Sequence, residues 1–385
     1  MLTRWPSKHS QRRILCQSTK VCTLITVGYF LIFHVIGYTQ NVKDEWPKTD
    51  FSRTLVDLAE IISGGPPKDG IPAIDKPVFI AIDNAARWLD DREPVIVVEL
   101  GNEVRAYPLQ ILIFHEIVND NLAGIPVSVT FCPLCNASIV FERRVGDTTL
   151  NFGTTGKLRK SDMIMYDRQS ESWWQQFTGI GIVGKYTGTE LTQLASSIVA
   201  FKDFRRRFPS AQVLSRNTGF SRPYGNNPYR GYDDINDHPF LYNDKADPRL
   251  PPMERVIGII LGNKSKIYPF SILEARPVIN DKFLATPVVV FSSPDMLSVL
   301  DDGIIRNART IPAAKVYHRE LNGRTLTFRS TVGNGIMDEQ TRSTWNIFGQ
   351  AESGPLIGER LKSVDSGVHF AFAWLAFRPR TIIYR

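Results

Sequence analysis

Acidic residues are missing from the first 40 positions of the 385-residue chain, where Arg4, Lys8, Arg12, Arg13 and Lys20 place +5 of its net charge of +7. The 345 residues that follow carry 41 basic and 39 acidic groups, or +2. The pI near 9.2 is therefore no sign of a nucleic-acid surface, because the basicity sits in a leader. Cysteine is scarce as well, with four in all. Cys16 and Cys22 lie in or beside the leader, without a lipobox around Cys22, and the body keeps only Cys132 and Cys135. A disulfide-stapled scaffold is excluded. Apolar residues are not lacking: 43% hydrophobic against 22% charged rules out wholesale disorder. A chain this long has room for a sizeable core and for two domains.

Val21–Tyr38 is 18 residues without a charge, near the lower limit for crossing a hydrocarbon core of roughly 30 Å. The basic run before it is expected to stay in the cytoplasm, so the rest of the chain should face outward, in a periplasm or at the outer cell face. A cleaved signal peptide is the alternative, but Gly37 and Thr39 make a poor cleavage pair. His34 inside this segment reads as a tolerated passenger. Residues 1–40 are thus expected to form a leader and membrane anchor, the one partner surface the sequence indicates.

The body repeats itself. Val95-Ile-Val-Val-Glu-Leu-Gly101-Asn-Glu-Val-Arg-Ala-Tyr107-Pro108 recurs 161 residues later as Val256-Ile-Gly-Ile-Ile-Leu-Gly262-Asn-Lys-Ser-Lys-Ile-Tyr268-Pro269. Asn119-Asp120 returns as Asn280-Asp281 at the same spacing. At a spacing of 171, Asp167-x-Gln169-Ser170-x-Ser172-x-Trp174-x-x-Phe177 returns as Asp338-x-Gln340-Thr341-x-Ser343-x-Trp345-x-x-Phe348. Period-2 and β-branched runs (VIVVEL, EVRAY, VSVTF, ASIVFER, TLNFG) predict strands, with a hairpin at Gly101-Asn102. Short helices are expected over Leu109–Val118, after Pro108, and over Phe201–Phe208, before Pro209. The fold class is α+β and β-rich. The expected organisation is a lead-in at 41–94, a first module at 95–214, a connecting segment at 215–252 and a second, degenerate module at 253–385. The connecting segment is rich in Asn, Pro and Tyr, and it reads as a strap laid over the first module.

The two copies differ in chemistry. Shared positions such as Asp167/Asp338 and Trp174/Trp345 read as fold-forming. His115-Glu116, by contrast, faces Arg276-Pro277 at the 161 spacing, and Phe131-Cys132-Pro133-Leu134-Cys135 faces Ser292-Ser293-Pro294-Asp295-Met296. The first copy also has extra residues around Gly156-Lys157-Leu158-Arg159-Lys160-Ser161-Asp162. Thiols, imidazole, carboxylates and cations thus gather in one copy.

C-P-L-C between two strands is the setting of a metal knuckle, where a tight turn aims two thiolates at one ion. Redox pairs of the thioredoxin kind instead open a helix, and the residues after Cys135 alternate. The metal reading takes His115 as third ligand with Cys132 and Cys135, and Glu116, Asp162 or water as fourth. Three protein ligands and an open position suit a zinc or copper ion. Glu116 and Asp162 are then proton-transfer candidates, and Lys157 with Arg159 would orient an anion. A thiol–disulfide redox pair and a structural disulfide remain as alternatives. Arg205-Arg206-Arg207 reads as a solvated face. Gly179-x-Gly181-x-x-Gly184 lacks the strand, helix and acidic residue of a dinucleotide site, so no nucleotide cofactor is expected.

The stretches GGPPKDGIPAID (64–75), RAYPLQILIFHEIVND (105–120), PVSVTFCPLCNASIVFERRV (126–145) and FGTTGKLRKSDMIMYDRQSESWWQQFTG (152–179), with PYGNNPYRGYDD, resemble the domain-of-unknown-function 3179 family over roughly residues 60–235. Asn136 stands where that family usually has glycine after C-P-L-C. The resemblance implies that H-E-x-x-N-D and C-P-L-C belong to one module, and it implies no activity.

Overall fold

Alternating and β-branched runs dictate strands, and strands dominate the chain. The computed structural model describes residues 43–333 and 335–385. The expected membrane segment, with Cys16, Cys22 and His34, lies outside the described residues. Among the described residues, no helix is long and apolar enough to cross a membrane.

Pro94–Leu100 and Glu103–Pro108 pair antiparallel around Gly101-Asn102, as the hairpin signal required. They form the centre of a sheet ordered Ser196–Ala200, Pro94–Leu100, Glu103–Pro108, Gln212–Leu214, Phe79–Ala81. A second sheet runs Gln193–Leu194, Ala137–Glu142, Ile125–Cys132, Ile117–Leu122. A third places Ile61–Ser63 beside Phe152–Arg159, followed by Asp162–Asp167, Trp173–Gln175 and Ile180–Val183.

The later half has sheets of matching order. Ser366–Phe370, Arg255–Leu261, Lys264–Pro269 and Ile382–Ile383 make one, and Val278–Phe283, Thr286–Leu297 and Thr310–His318 another. Phe328–Ser330, Ile336–Asp338, Thr344–Trp345 and Ala351–Ser353 complete the set.

The residues shared between the halves make matching bonds. Asp167 accepts from the amide and hydroxyl of Ser170 and, at 3.0 Å, from the Trp174 indole. Asp338 does the same with Thr341 and, at 3.0 Å, with Trp345. Asn119 exchanges two hydrogen bonds with the Phe152 backbone, and Asn280 with that of Phe328. Tyr107 donates to Asp120, and Tyr268 to Asp281. A buried carboxylate with several donors is a strong local tie, since each charge-assisted bond contributes roughly 1.5–3 kcal/mol.

The helix expected over Leu109–Val118 is a single turn, Leu109–Leu112. Glu116 takes a left-handed backbone (φ 57°), and Ile117 and Val118 then join the strand facing Thr130 and Val129. The two β-branched residues gain a ladder in the sheet that a longer helix would deny them. The Phe201–Arg207 helix is present.

Residues 215–252 contain no helix or strand and lie against both halves. Tyr224 meets His115 and Tyr232 donates to the Leu134 carbonyl, while Gly231 and Asn227 bond the backbone of Asp301 and Gly303. Asp233, buried, receives Arg255 and Arg309.

Candidate metal centre

The C-P-L-C segment leaves the Ile125–Cys132 strand as one 3-10 turn, Pro133–Cys135, and returns into Ala137–Glu142 through Asn136 in the left-handed region (φ 49°). Asparagine tolerates this conformation better than most residues, so the turn closes without a glycine. No helix follows: the turn leads straight into the Ala137–Glu142 strand. Cys132 and Cys135 are free thiols, both buried.

Asp162 reaches them from a strained hairpin. Phe152–Arg159 turns into Asp162–Asp167 through Lys160 (φ 54°) and Ser161 (φ 61°). Left-handed backbone at a non-glycine residue costs on the order of 1–3 kcal/mol and persists only where neighbours hold it. The strap does so here. Ser161 Oγ donates to the Phe240 carbonyl, and Lys160 pairs with Asp244. Just before the turn, a bulge between Thr154 and Leu158 lets Gly156 press on the lead-in segment. A Cβ on Gly156 would stand 1.9 Å from the Pro66 carbonyl oxygen, so only glycine fits.

Cys132, Cys135 and Asp162 bring one donor atom each to within 4.8 Å of one another, and all three are buried. Tetrahedral zinc, with bonds of roughly 2.0–2.3 Å, holds its donors about 3.5–4 Å apart, so a contraction of about an ångström at most would seat an ion. Asp162 Oδ2 accepts from Gln175 at 2.6 Å and from the Phe177 amide at 2.9 Å. Its Oδ1 is buried with no partner among the described residues. Such an orphan in a fully buried carboxylate needs a reason.

Electrostatics point the same way. Burial pushes the Asp162 carboxyl up to about 7, against the pull of Gln175, the Phe177 amide and the Cys135 and Cys132 thiols. Burial, with the nearby Asp162 charge, pushes Glu116 up to about 8. Both thiols are raised by burial, Cys135 well above the ordinary range. Four proton-bearing groups therefore resist becoming anions together. A cation is what would let them ionise. Buried, protonated thiols are also the opposite of the exposed, low-pKa thiols of redox centres.

Glu116 faces a cavity of about 200 Å³ walled by Ile71, Leu134 and Met163, and by Tyr229, Tyr232 and Phe240 of the strap. Its carboxyl accepts no hydrogen bond among the described residues, although its charge is felt by Cys132 and by Tyr229. Lys157 lines the same cavity, with its ammonium 5.7 Å from the Trp173 ring centre.

Two expected residues stand elsewhere. His115 is not in the donor group: its Nδ1 bonds the Pro72 carbonyl at 2.7 Å and its Nε2 the Tyr224 hydroxyl at 2.6 Å. The left-handed turn at Glu116 sends the two neighbouring side chains to different places. Arg159 pairs with Glu60 at 2.8 Å, donates to Gln175 Oε1 at 3.4 Å, and is not among the residues lining the Glu116 cavity with Lys157. Asp162, expected as a fourth ligand or proton carrier, is instead the third donor. Sequence reasoning passed over Gln175, which orients Asp162, and the cavity tyrosines. The signal for Gln175 was Asn346 standing at its place in the other half.

No curated protein and no solved structure matches the chain. A family model described as "Protein of unknown function (DUF3179)" matches residues 68–381, extending past the motif-bearing stretch to take in the second half. The chain belongs to the DUF3179 family.

Proposed function

We propose that the protein binds a metal ion, zinc in first place, through Cys132, Cys135 and Asp162, and that Glu116 exchanges a proton with a small molecule in the adjoining cavity. The observation that carries this reading is the buried group of Cys132, Cys135 and Asp162, one donor atom from each within 4.8 Å of the others, with Asp162 Oδ1 given no N–H or O–H among the described residues. A carboxylate in the donor set favours zinc over copper(I), which prefers thiolate and thioether donors alone. The ion, when bound, would lower the pKa of a water or polarise a substrate oxygen. Glu116, neutral by burial, is suited to donate a proton and to take one back. Lys157 gives the cavity a positive wall.

The wider reading is a protein anchored through Val21–Tyr38 with its body outside the cytoplasm, made of two diverged copies of one module over 95–214 and 253–385, with no nucleic-acid partner. Matching sheet orders and the paired Asp–Trp, Asn–backbone and Tyr–Asp bonds support the duplication. The test of the metal site is cobalt titration of the full chain, reading the thiolate-to-cobalt charge-transfer band. We expect one saturating band in the wild type and in His115→Ala, and none in Cys132→Ser. Loss in His115→Ala with retention in Cys132→Ser would overturn the ligand set. Absence of the band in the wild type, with both sulfurs found as a disulfide, would replace the metal reading with the redox or structural pair.

A further inference from the structure

A second cavity lies between the halves, far in sequence from the cysteines, and a single lysine dominates it. Lys315 sits on the Thr310–His318 strand, in register with Phe291. Its side chain crosses to the first half, where the ammonium donates to the Ser196 carbonyl. Lys315 is 7% exposed. That is the only hydrogen bond its three N–H donors make among the described residues. No carboxylate touches it: Asp365 and Glu99 attract it from further off, while Arg360 repels it. Arg360 is itself closed by Glu99, with its two nitrogens 2.5 and 2.7 Å from the two carboxylate oxygens. Buried lysines are ordinarily paired, because an unneutralised ammonium in a low dielectric is costly.

The space beside the ammonium is about 280 Å³. Its walls carry Lys315, Ser196 and Ser197, the Glu99–Arg360 pair, and the apolar Val97, Ala195 and Leu361. One cation without a carboxylate of its own, beside aliphatic side chains in the same cleft, describes a ligand with one negative end and an apolar body. A phosphate dianion would need a second available cation, and Arg360 is taken. The volume lies just below the roughly 300–1,000 Å³ of pockets for drug-sized ligands, so the ligand is small.

We propose that this cleft binds a small organic monocarboxylate, whose carboxylate meets Lys315 and whose apolar body lies against Val97, Ala195 and Leu361. The cleft is independent of the metal centre, and an inactive metal centre leaves it intact.

The probe is sodium benzoate, titrated calorimetrically into the full chain at fixed ionic strength, beside benzyl alcohol and inorganic phosphate. We expect saturable benzoate binding and at least tenfold weaker binding of the other two. Lys315→Met is expected to weaken benzoate at least tenfold. Ser197→Leu, which adds bulk to the cleft lining and keeps Lys315, should do the same and serves where Lys315→Met does not fold. Asp162→Asn should bind benzoate as the wild type does. Equal binding of benzyl alcohol and benzoate, or unchanged benzoate affinity in a folded Lys315→Met or Ser197→Leu, would overturn the proposal.

Discussion

Glu116 and Pro277 occupy one place in the two halves: the carbonyl of each accepts a backbone amide at 2.8 Å, from Phe131 in one case and Ser292 in the other. The backbone bond is kept and the side chains are not. Cys132 stands against Ser293 and Cys135 against Met296 at the 161 spacing, and Asp162 against Gly333 at the 171 spacing. In the second half, the Ser292 hydroxyl donates to the Pro277 carbonyl and Met296 is packed in the core. In the first, a buried carboxylate oxygen has no partner among the described residues and a glutamate holds a left-handed backbone. Two halves with matching bonds thus differ in a set of costly features. A buried unsatisfied polar group costs roughly 1–3 kcal/mol, and strain of similar size sits at Lys160, Ser161 and Glu116. The second half arranges its corresponding strands in a matching order without these features.

The comparison breaks most readily at the shared bonds. Asp167→Ala and Asp338→Ala should each lose about 3 kcal/mol in urea denaturation, because each strips several donors, the indole included, of a buried acceptor. A tolerated Asp338→Ala beside a damaging Asp167→Ala would mean that the two turns are not equivalent.

Lys315 belongs to one half alone. Burial lowers its pKa from 10.5 to about 8. Below pH 8 the ammonium is charged in both folded and unfolded chains, and its burial cost is fully present. Between pH 8 and 10.5 the folded chain releases the proton first, so this group makes stability rise with pH across that window. Asp365 and Glu99 oppose the shift and Arg360 reinforces it. The gain should be about 3 kcal/mol. Lys315→Met should remove that slope. A wild-type curve that falls through the same window as steeply as that of the variant would contradict the assignment.

His115→Ala should cost about 1.5 kcal/mol through its bonds to Pro72 and Tyr224, loosening the strap while leaving metal content alone. Metal loss in this variant would restore the histidine to the ligand set. The smallest effect is also the sharpest contrast. Glu116→Gly should stabilise the metal-free protein by about 1 kcal/mol by relieving the left-handed backbone, whereas Pro277→Gly should cost up to about 1 kcal/mol through the unfolded chain. A destabilised Glu116→Gly would show that the carboxyl supports the fold.

Much of this was readable from the sequence. Period-2 runs placed the strands, and C-P-L-C fell at a tight turn between two of them. What failed depended on contacts between distant segments. His115 and Glu116 are adjacent in the chain, and only the left-handed turn between helix and strand sends one to the strap and the other to the cavity. Arg159 found Glu60 because the lead-in adds a strand beside it. Lys315 lies in an alternating run, TIPAAKVYH, where a lysine reads as solvated. The other half of the molecule buries it, and no local pattern announces that.

The central claim is that the unpartnered oxygen of Asp162 is there for a metal ion. Elemental analysis of the full chain, purified without chelator, beside Asp162→Asn tests it most directly. The account predicts about one zinc per wild-type chain and a loss of at least tenfold in the variant, with the fold retained. Equal metal content in the two proteins, or none in a wild type supplied with zinc, would contradict it.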